Sequence, residues 1–150
     1  MRVPYAKVGL SLLLLVPAAG LIGCSSFNRE WRAARPSVAA TPGLAGRWTG
    51  TWQSAVNGHQ GKLRAILTPM DDGRIDARFR AGFWGIMAYS YRLTFDAEST
   101  AAGEWTFAGE SDLGWLAGGR FRCAGTAFTN ALRASYDSKR DRGTFTLARP

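Results

Sequence analysis

From Gly46 to the end of the chain, apolar residues recur at every second position in short runs separated by turn signals, with no sustained 3.6-residue period. This pattern predicts an antiparallel all-β domain. Arg47–Ser54 places Trp48, Gly50 and Trp52 on one face. Asn57-Gly58 reads as a hairpin turn, and Lys62–Thr68 groups Leu63, Ala65 and Leu67. After the Asp71-Asp72-Gly73 turn, Arg74–Ala81 alternates Ile75, Ala77, Phe79 and Ala81 with Arg74, Asp76, Arg78 and Arg80. Trp84–Phe95 is apolar on both faces, which predicts either cover on both sides or a rim. Gly103–Gly109 offers Trp105 and Phe107, and Leu113–Leu116 is a short apolar piece. Gly119–Thr126 turns Phe121, Cys123 and Gly125 inward, and Asn130–Tyr136 and Gly143–Arg149 complete the set.

Eight or nine short strands joined by tight turns within residues 46–150 predict one small up-and-down barrel of about eight strands, because closing the sheet removes its exposed edges. A barrel of this size is filled by its own side chains or holds one small ligand. The inner faces supply a candidate lining for a hydrophobic or amphipathic ligand: Trp52, Tyr89, Tyr91, Trp105 and Phe121. The alternative is a solid barrel whose outward arginines, Arg74, Arg78, Arg80, Arg120 and Arg122, engage anionic components in a salt-sensitive way.

The amino-terminal segment sets the compartment. Met1–Lys7 carries Arg2 and Lys7, Val8–Ile22 is almost wholly apolar, and the run closes on Leu21-Ile22-Gly23-Cys24. Residues 1–23 therefore read as an export signal; the apolar run, interrupted by Pro17, falls short of the roughly 20 residues of a membrane span. Its ending resembles the lipobox of bacterial lipoproteins. The resemblance implies cleavage before Cys24, acylation of that cysteine with palmitate among the chains, and attachment to a membrane. Ser25 and Ser26, where that family's retention pattern has Asp, imply the periplasmic face of an outer membrane. Residues 24–45 contain Pro36, Pro42 and three arginines, Arg29, Arg32 and Arg35, against Glu30, and predict a flexible tether. With Phe27 and Trp31 among those arginines, the alternative is that this stretch lies on lipid headgroups.

Charge narrows the partners. Lys and Arg number 19 against 11 Asp and Glu, with a pI near 10.3. Such basicity ordinarily raises nucleic acid as a partner. Export removes it, leaving anionic lipid and lipopolysaccharide phosphates as the acidic surfaces within reach.

Little in the sequence points to catalysis. With Cys24 assigned to lipid, Cys123 stands alone and reads as a buried small hydrophobe. His59 is the single histidine, so no metal-ligand spacing exists and no metal or cofactor is expected. Ser54 lacks a nucleophile elbow. Glu104, Glu110 and Asp112 read as outward residues balancing Arg120 and Arg122, the alternative being a pocket-facing acid/base pair. The expectation is a protein that is not an enzyme.

Gly46-Arg47-Trp48 at the first strand, with Arg149 on the face of Phe145 and Leu147 in the last, resembles the calycin superfamily of lipocalins, fatty-acid-binding proteins and avidins. That resemblance implies that Trp48 closes the barrel base with Arg149 packed across it as a cation–π pair. The strings Trp48-x-Gly50-x-Trp52-x-Ser54, Asn57-Gly58-His59-x-Gly61-x-Leu63-Arg64 and Tyr136-x-Ser138-x-x-Asp141-x-Gly143-x-Phe145-x-Leu147-x-Arg149 resemble a set of bacterial envelope proteins without an assigned activity.

Overall fold

The computed structural model describes residues 19–34, 43–115 and 118–150, with side chains from residue 26 onward in the first of these stretches. Most of the export signal, the Cys24 side chain, residues 35–42 with Pro36 and Pro42, and Leu116 lie outside the described residues. One helix, α1 (Ala19–Ala33), precedes eight strands: β1 (Gly46–Ser54), β2 (Gln60–Pro69), β3 (Ile75–Phe83), β4 (Met87–Ser99), β5 (Glu104–Asp112), β6 (Arg120–Phe128), β7 (Ala131–Ser138) and β8 (Arg142–Ala148). Each strand pairs antiparallel with the next, and β8 returns to β1, so the sheet closes as an up-and-down barrel. No helix among the described residues is long and apolar enough to cross a membrane.

Turn chemistry sets the strand ends. Gly58 and Gly73 take left-handed φ values of 72° and 81°, which glycine adopts without steric cost. The preceding side chains tie down the following backbone: Asn57 Oδ1 accepts from the His59 N–H at 2.9 Å, and Asp72 Oδ1 accepts from the Arg74 N–H at 3.1 Å. Of Leu113–Leu116, expected as a short apolar piece, the described residues 113–115 form no strand and start the loop between β5 and β6.

The alternation seen in the sequence becomes inside and outside. Ile75, Ala77, Phe79 and Ala81 are all buried in β3, as are Leu132, Ala134 and Tyr136 in β7. At the end formed by the start of β1 and the hairpins β2–β3, β4–β5 and β6–β7, the interior is solid. Trp48 is fully buried there among Leu67, Phe95, Leu93, Leu132 and Leu147. Its Nε1 donates to the Leu44 carbonyl at 2.9 Å. The Arg149 guanidinium lies 4.0 Å from the Trp48 ring centroid and donates to the Ala45 and Gly43 carbonyls. Indole and guanidinium together plug this end.

Closure between β1 and β8 depends on glycine at Gly143, where a Cβ would land on the Gln53 carbonyl oxygen and meet the Tyr136 hydroxyl at 2.7 Å. The two strands approach there more closely than any side chain allows.

The described part of the segment expected to be a flexible tether differs from that expectation. Residues up to Ala33 are helical, and α1 lies on the outer wall of β1–β4. Phe27 is fully buried, with the Arg64 and Arg78 guanidinium groups 5.5 and 5.8 Å from its ring centroid. Trp31 takes Arg47 and Arg64, each at 5.2 Å. Glu30 pairs with Arg78, Ser26 accepts from Arg78 at 2.6 Å, and Asn28 accepts from Arg80 at 3.1 Å. Ile66, flanked in register by Arg47 and Arg78, points outward and is nonetheless buried. The barrel wall supplies the surface against which Phe27 and Trp31 pack. Phe27 and Trp31 are thereby committed to the barrel, not to headgroups.

Phe27→Ala is expected to release α1 while leaving the barrel intact, since it removes the one fully buried side chain of the helix together with the ring that Arg64 and Arg78 lie against. Hydrogen exchange checks this: amides of residues 26–33 should lose protection and those of β1–β8 should keep theirs. Uniform loss of protection would show instead that α1 is integral to the barrel.

Candidate functional site: a cavity at the open end of the barrel

The opposite end, where β1, β3, β5 and β7 finish, is hollow. A cavity of about 560 Å³ opens there, walled by Trp52, Leu63, Ala81, Phe83, Tyr89, Tyr91, Leu113, Phe121 and Phe145, with Tyr136, Ser138, Arg140 and Asp141 to one side. Aromatic rings connect it to the solid end. Phe107 meets Phe95 at 4.9 Å, Phe95 meets Phe79 at 6.0 Å, and Phe79 stacks on Tyr91 at 5.1 Å. Tyr91 then meets Phe121, and Phe121 stacks on Tyr136, both at 5.5 Å.

Trp52 is held by its own hydrogen bond, Nε1 donating to the Gly82 carbonyl at 3.1 Å, and by Phe83 at 4.8 Å. On the polar side Asp141 gathers two hydroxyls: Ser54 Oγ donates to Oδ1 at 2.6 Å and Tyr136 Oη donates to Oδ2 at 3.0 Å. Ser138 Oγ donates to the Asp141 carbonyl at 2.9 Å and accepts from its N–H at 3.1 Å, fixing the β7–β8 turn. The network ties β1, β7 and that turn together at the mouth.

Burial governs the ionisable groups of the interior. It pushes the Tyr91 phenol well above its ordinary range, with Cys123, Tyr136 and Tyr89 adding to the shift. Burial likewise raises Tyr136, helped by its hydrogen bond to Asp141. The buried Cys123 thiol is pushed up to about 12. All three groups favour the protonated form in the fold. Each contribution to stability is present below the unfolded-chain pKa, about 8.5 for a thiol and about 10 for a phenol, and is lost as pH rises above it. Unfolding free energy is therefore expected to fall between about pH 9 and 12. Tyr91 and Tyr136 should gain tyrosinate absorbance only together with loss of far-ultraviolet β signal. Ionisation of all tyrosines before unfolding would contradict the burial assigned to these two.

No family model and no curated protein matches the chain. A solved structure does. The barrel is similar to a designed protein described as a de novo fluorescence-activating β-barrel, with a TM-score of 0.52 and 19% identity over 75% of this chain and 99% of that one. At this identity the likeness is one of fold, and it agrees with the closed eight-stranded architecture.

Four of the five candidate lining residues, Trp52, Tyr89, Tyr91 and Phe121, meet at the cavity. Trp105 does not. It starts β5 at the closed end, where Gly43 lies against its ring; its inward phase is shared with Phe107, but its height along the barrel is wrong. The residues not anticipated as lining are Leu63, Ala81, Phe83, Leu113, Tyr136, Ser138, Arg140, Asp141 and Phe145. Tyr136 and Phe145 stood on inner faces in the sequence pattern; the signal lacking was which layer of the barrel each occupies.

The other chemistry-bearing residues are dispersed. Glu110 and Asp112 lie on the outer wall, opposite Arg122 and Arg120 in register, and Glu104 is at the closed end. His59 sits in the β1–β2 loop with its ring edge-on to Trp84 at 5.7 Å. Among the described residues no three His, Cys, Asp or Glu side chains come together in a way that suits a metal ion. A wider depression of about 760 Å³ on the outer wall includes Asp96, Glu110, Arg122 and Arg142. It is shallow and crossed by charges that face one another between strands, so the interior cavity is the candidate site.

Proposed function

We propose that this protein is a lipid-anchored envelope lipoprotein that binds one small hydrophobic or amphipathic molecule in the open end of its barrel, without catalysing a reaction on it. The observation that carries the reading is the cavity itself: about 560 Å³, within the range of roughly 300–1,000 Å³ typical of small-molecule sites. Its walls are aromatic and aliphatic, and its one polar side holds Tyr136, Ser138, Arg140 and Asp141. An amphipathic ligand suits that division, its apolar part among Trp52, Tyr91 and Phe121 and its polar end beside Arg140. Glu104, Glu110, Asp112 and His59 stand away from this space, and the one carboxylate in its lining, Asp141, is occupied by the Ser54 and Tyr136 hydroxyls, which favours binding over chemistry.

The anchoring part of the reading rests on the sequence: the basic start, the short apolar run and Leu21-Ile22-Gly23-Cys24. Cleavage before Cys24 leaves Phe27, Glu30 and Trp31 in the mature chain, so the docked half of α1 is retained beside the lipid. The solid, arginine-displaying alternative is less well supported, since Arg78 and Arg80 are engaged by α1 and Arg74 by Asp72 at 2.7 Å.

Native mass spectrometry of protein extracted from the membranes of its own cell tests both parts. One ligand per chain and a diacylated Cys24 amino terminus are expected. An unoccupied chain that also fails to take up an apolar fluorescent probe would overturn the binding reading, and an unmodified Cys24 the anchoring one.

A further inference from the structure

The largest exposed apolar side chains gather around the mouth. Val56 stands in the β1–β2 loop, Trp84 and Ile86 form the β3–β4 tip with Met87 beside them, and Trp115 projects from the β5–β6 loop. Ile86 is 87% exposed, Trp115 75% and Trp84 67%. Among the described residues the large exposed apolar side chains at the opposite end are Met70 and Phe128, and neither is an indole.

Trp84 is held out at a conformational cost. Its φ is 49°, followed by Gly85 at 74°, with the Ile86 N–H donating to the Phe83 carbonyl. This two-residue turn favours Asn or Gly at its first position, and a bulky residue there is a genuine outlier. Strain kept in an exposed loop points to a use for the side chain it presents.

Charge is distributed along the barrel axis in the same sense. Lys139 and Arg140 sit in the β7–β8 turn, with the Arg140 guanidinium 5.7 Å from the Trp115 ring centroid. Among the described residues of the four mouth loops the single carboxylate is Asp141, and it is turned inward to Ser54 and Tyr136. Beside the mouth, Asp112 ends β5 opposite Arg120 in register, while the closed end carries Asp71, Asp72, Glu98 and Glu104 in or beside its loops, with Arg74 paired to Asp72.

We infer that the mouth of the barrel is a docking face for an anionic phospholipid bilayer: Trp84, Ile86 and Trp115 enter the headgroup region while Lys139 and Arg140 meet the phosphates. Indole rings with an apolar body and one N–H suit that layer, and cations near the surface add attraction. A second copy is a poorer partner, because two such rims bring like charges together. The acidic closed end turns away from the same surface. Docking stands on the rim alone; its consequence, that ligand passes between bilayer and cavity without crossing water, rests on the binding reading proposed above.

The test uses full-length protein in vesicles of phosphatidylcholine and phosphatidylglycerol with brominated acyl chains, so that attachment through the amino-terminal segment is common to every variant and tryptophan quenching reports orientation. The Trp84→Phe/Trp115→Phe protein is expected to lose most of the quenching, and Trp105→Phe none of it. Lys139→Glu/Arg140→Glu, or omission of phosphatidylglycerol, should reduce it several-fold. Quenching unchanged in Trp84→Phe/Trp115→Phe overturns the inference. If it disappears only in Trp52→Phe, the bromine is inside the cavity, and docking fails while ligand binding survives. Quenching that follows Trp84 and Trp115 in a protein that takes up no apolar probe supports docking and removes the ligand. A vesicle-free dimer joined through the rim, with no quenching, also overturns it.

Discussion

Trp48→Ala is expected to destabilise the barrel by about 3–5 kcal/mol, the usual cost of emptying a buried tryptophan site. Trp48 is fully exposed to none of the solvent and stacks beneath Arg149. Its removal opens a void at the closed end, deletes the hydrogen bond to the Leu44 carbonyl and leaves the guanidinium without its aromatic partner. Set against a typical total stability of about 5–15 kcal/mol, this is more than half of the whole for a domain near the lower end. At about 4 °C per kcal/mol for a domain near 100 residues, the melting temperature should fall by about 12–20 °C. Urea denaturation followed by β-sheet circular dichroism measures it. A loss below about 1 kcal/mol would mean that the closed end collapses onto the vacancy, and that the plug is not what holds it.

Ala81→Trp should have the largest effect on binding. Ala81 lies in the cavity wall, with Leu63 and Tyr89 as its register neighbours, so an indole there occupies the space a ligand needs. Affinity for an apolar fluorescent probe is expected to fall tenfold or more, equivalent to at least about 1.4 kcal/mol. Overpacking a wall that borders empty space should cost stability no more than about 1–3 kcal/mol, so the variant should stay folded. Undiminished probe binding in a folded Ala81→Trp protein would place the probe elsewhere, for instance on the exposed rim.

Much of the fold was legible because the cause is local. Alternation in Arg74–Ala81 placed four residues inside and four outside, and Asn57-Gly58 and Asp72-Gly73 marked the hairpins, since both depend on neighbouring backbone geometry alone. Trp84–Phe95, apolar on both faces, left cover and rim open. The structure decides for a rim at its start, where Trp84, Ile86 and Met87 are exposed, while Leu93 and Phe95 are buried farther along. The candidate site was legible in part. Period two tells which side chains point inward, and so Trp52, Tyr91 and Phe121 were found; it does not tell how high each stands, and so Trp105 was grouped with them although it sits at the closed end.

The tether shows the same boundary from another side. With Pro36 and Pro42, small residues and the charges of Arg29, Glu30, Arg32 and Arg35, residues 25–45 read as a stretch without a core of its own. Its helix forms because Arg47, Arg64, Arg78 and Arg80, far apart along the chain, are brought side by side on β1–β3 as a surface for Phe27, Glu30 and Trp31.

By itself, the sequence determined the all-β class, the inward and outward faces of the cleanly alternating runs and the main turns, all of which follow from interactions within a few residues. Tertiary structure alone decided that one end is plugged and the other hollow, that Asp141 joins Ser54 to Tyr136, and that the apolar tips share one rim. Those features depend on the register and closure of the barrel, which set side chains from distant strands at a common height, and no local pattern encodes that height.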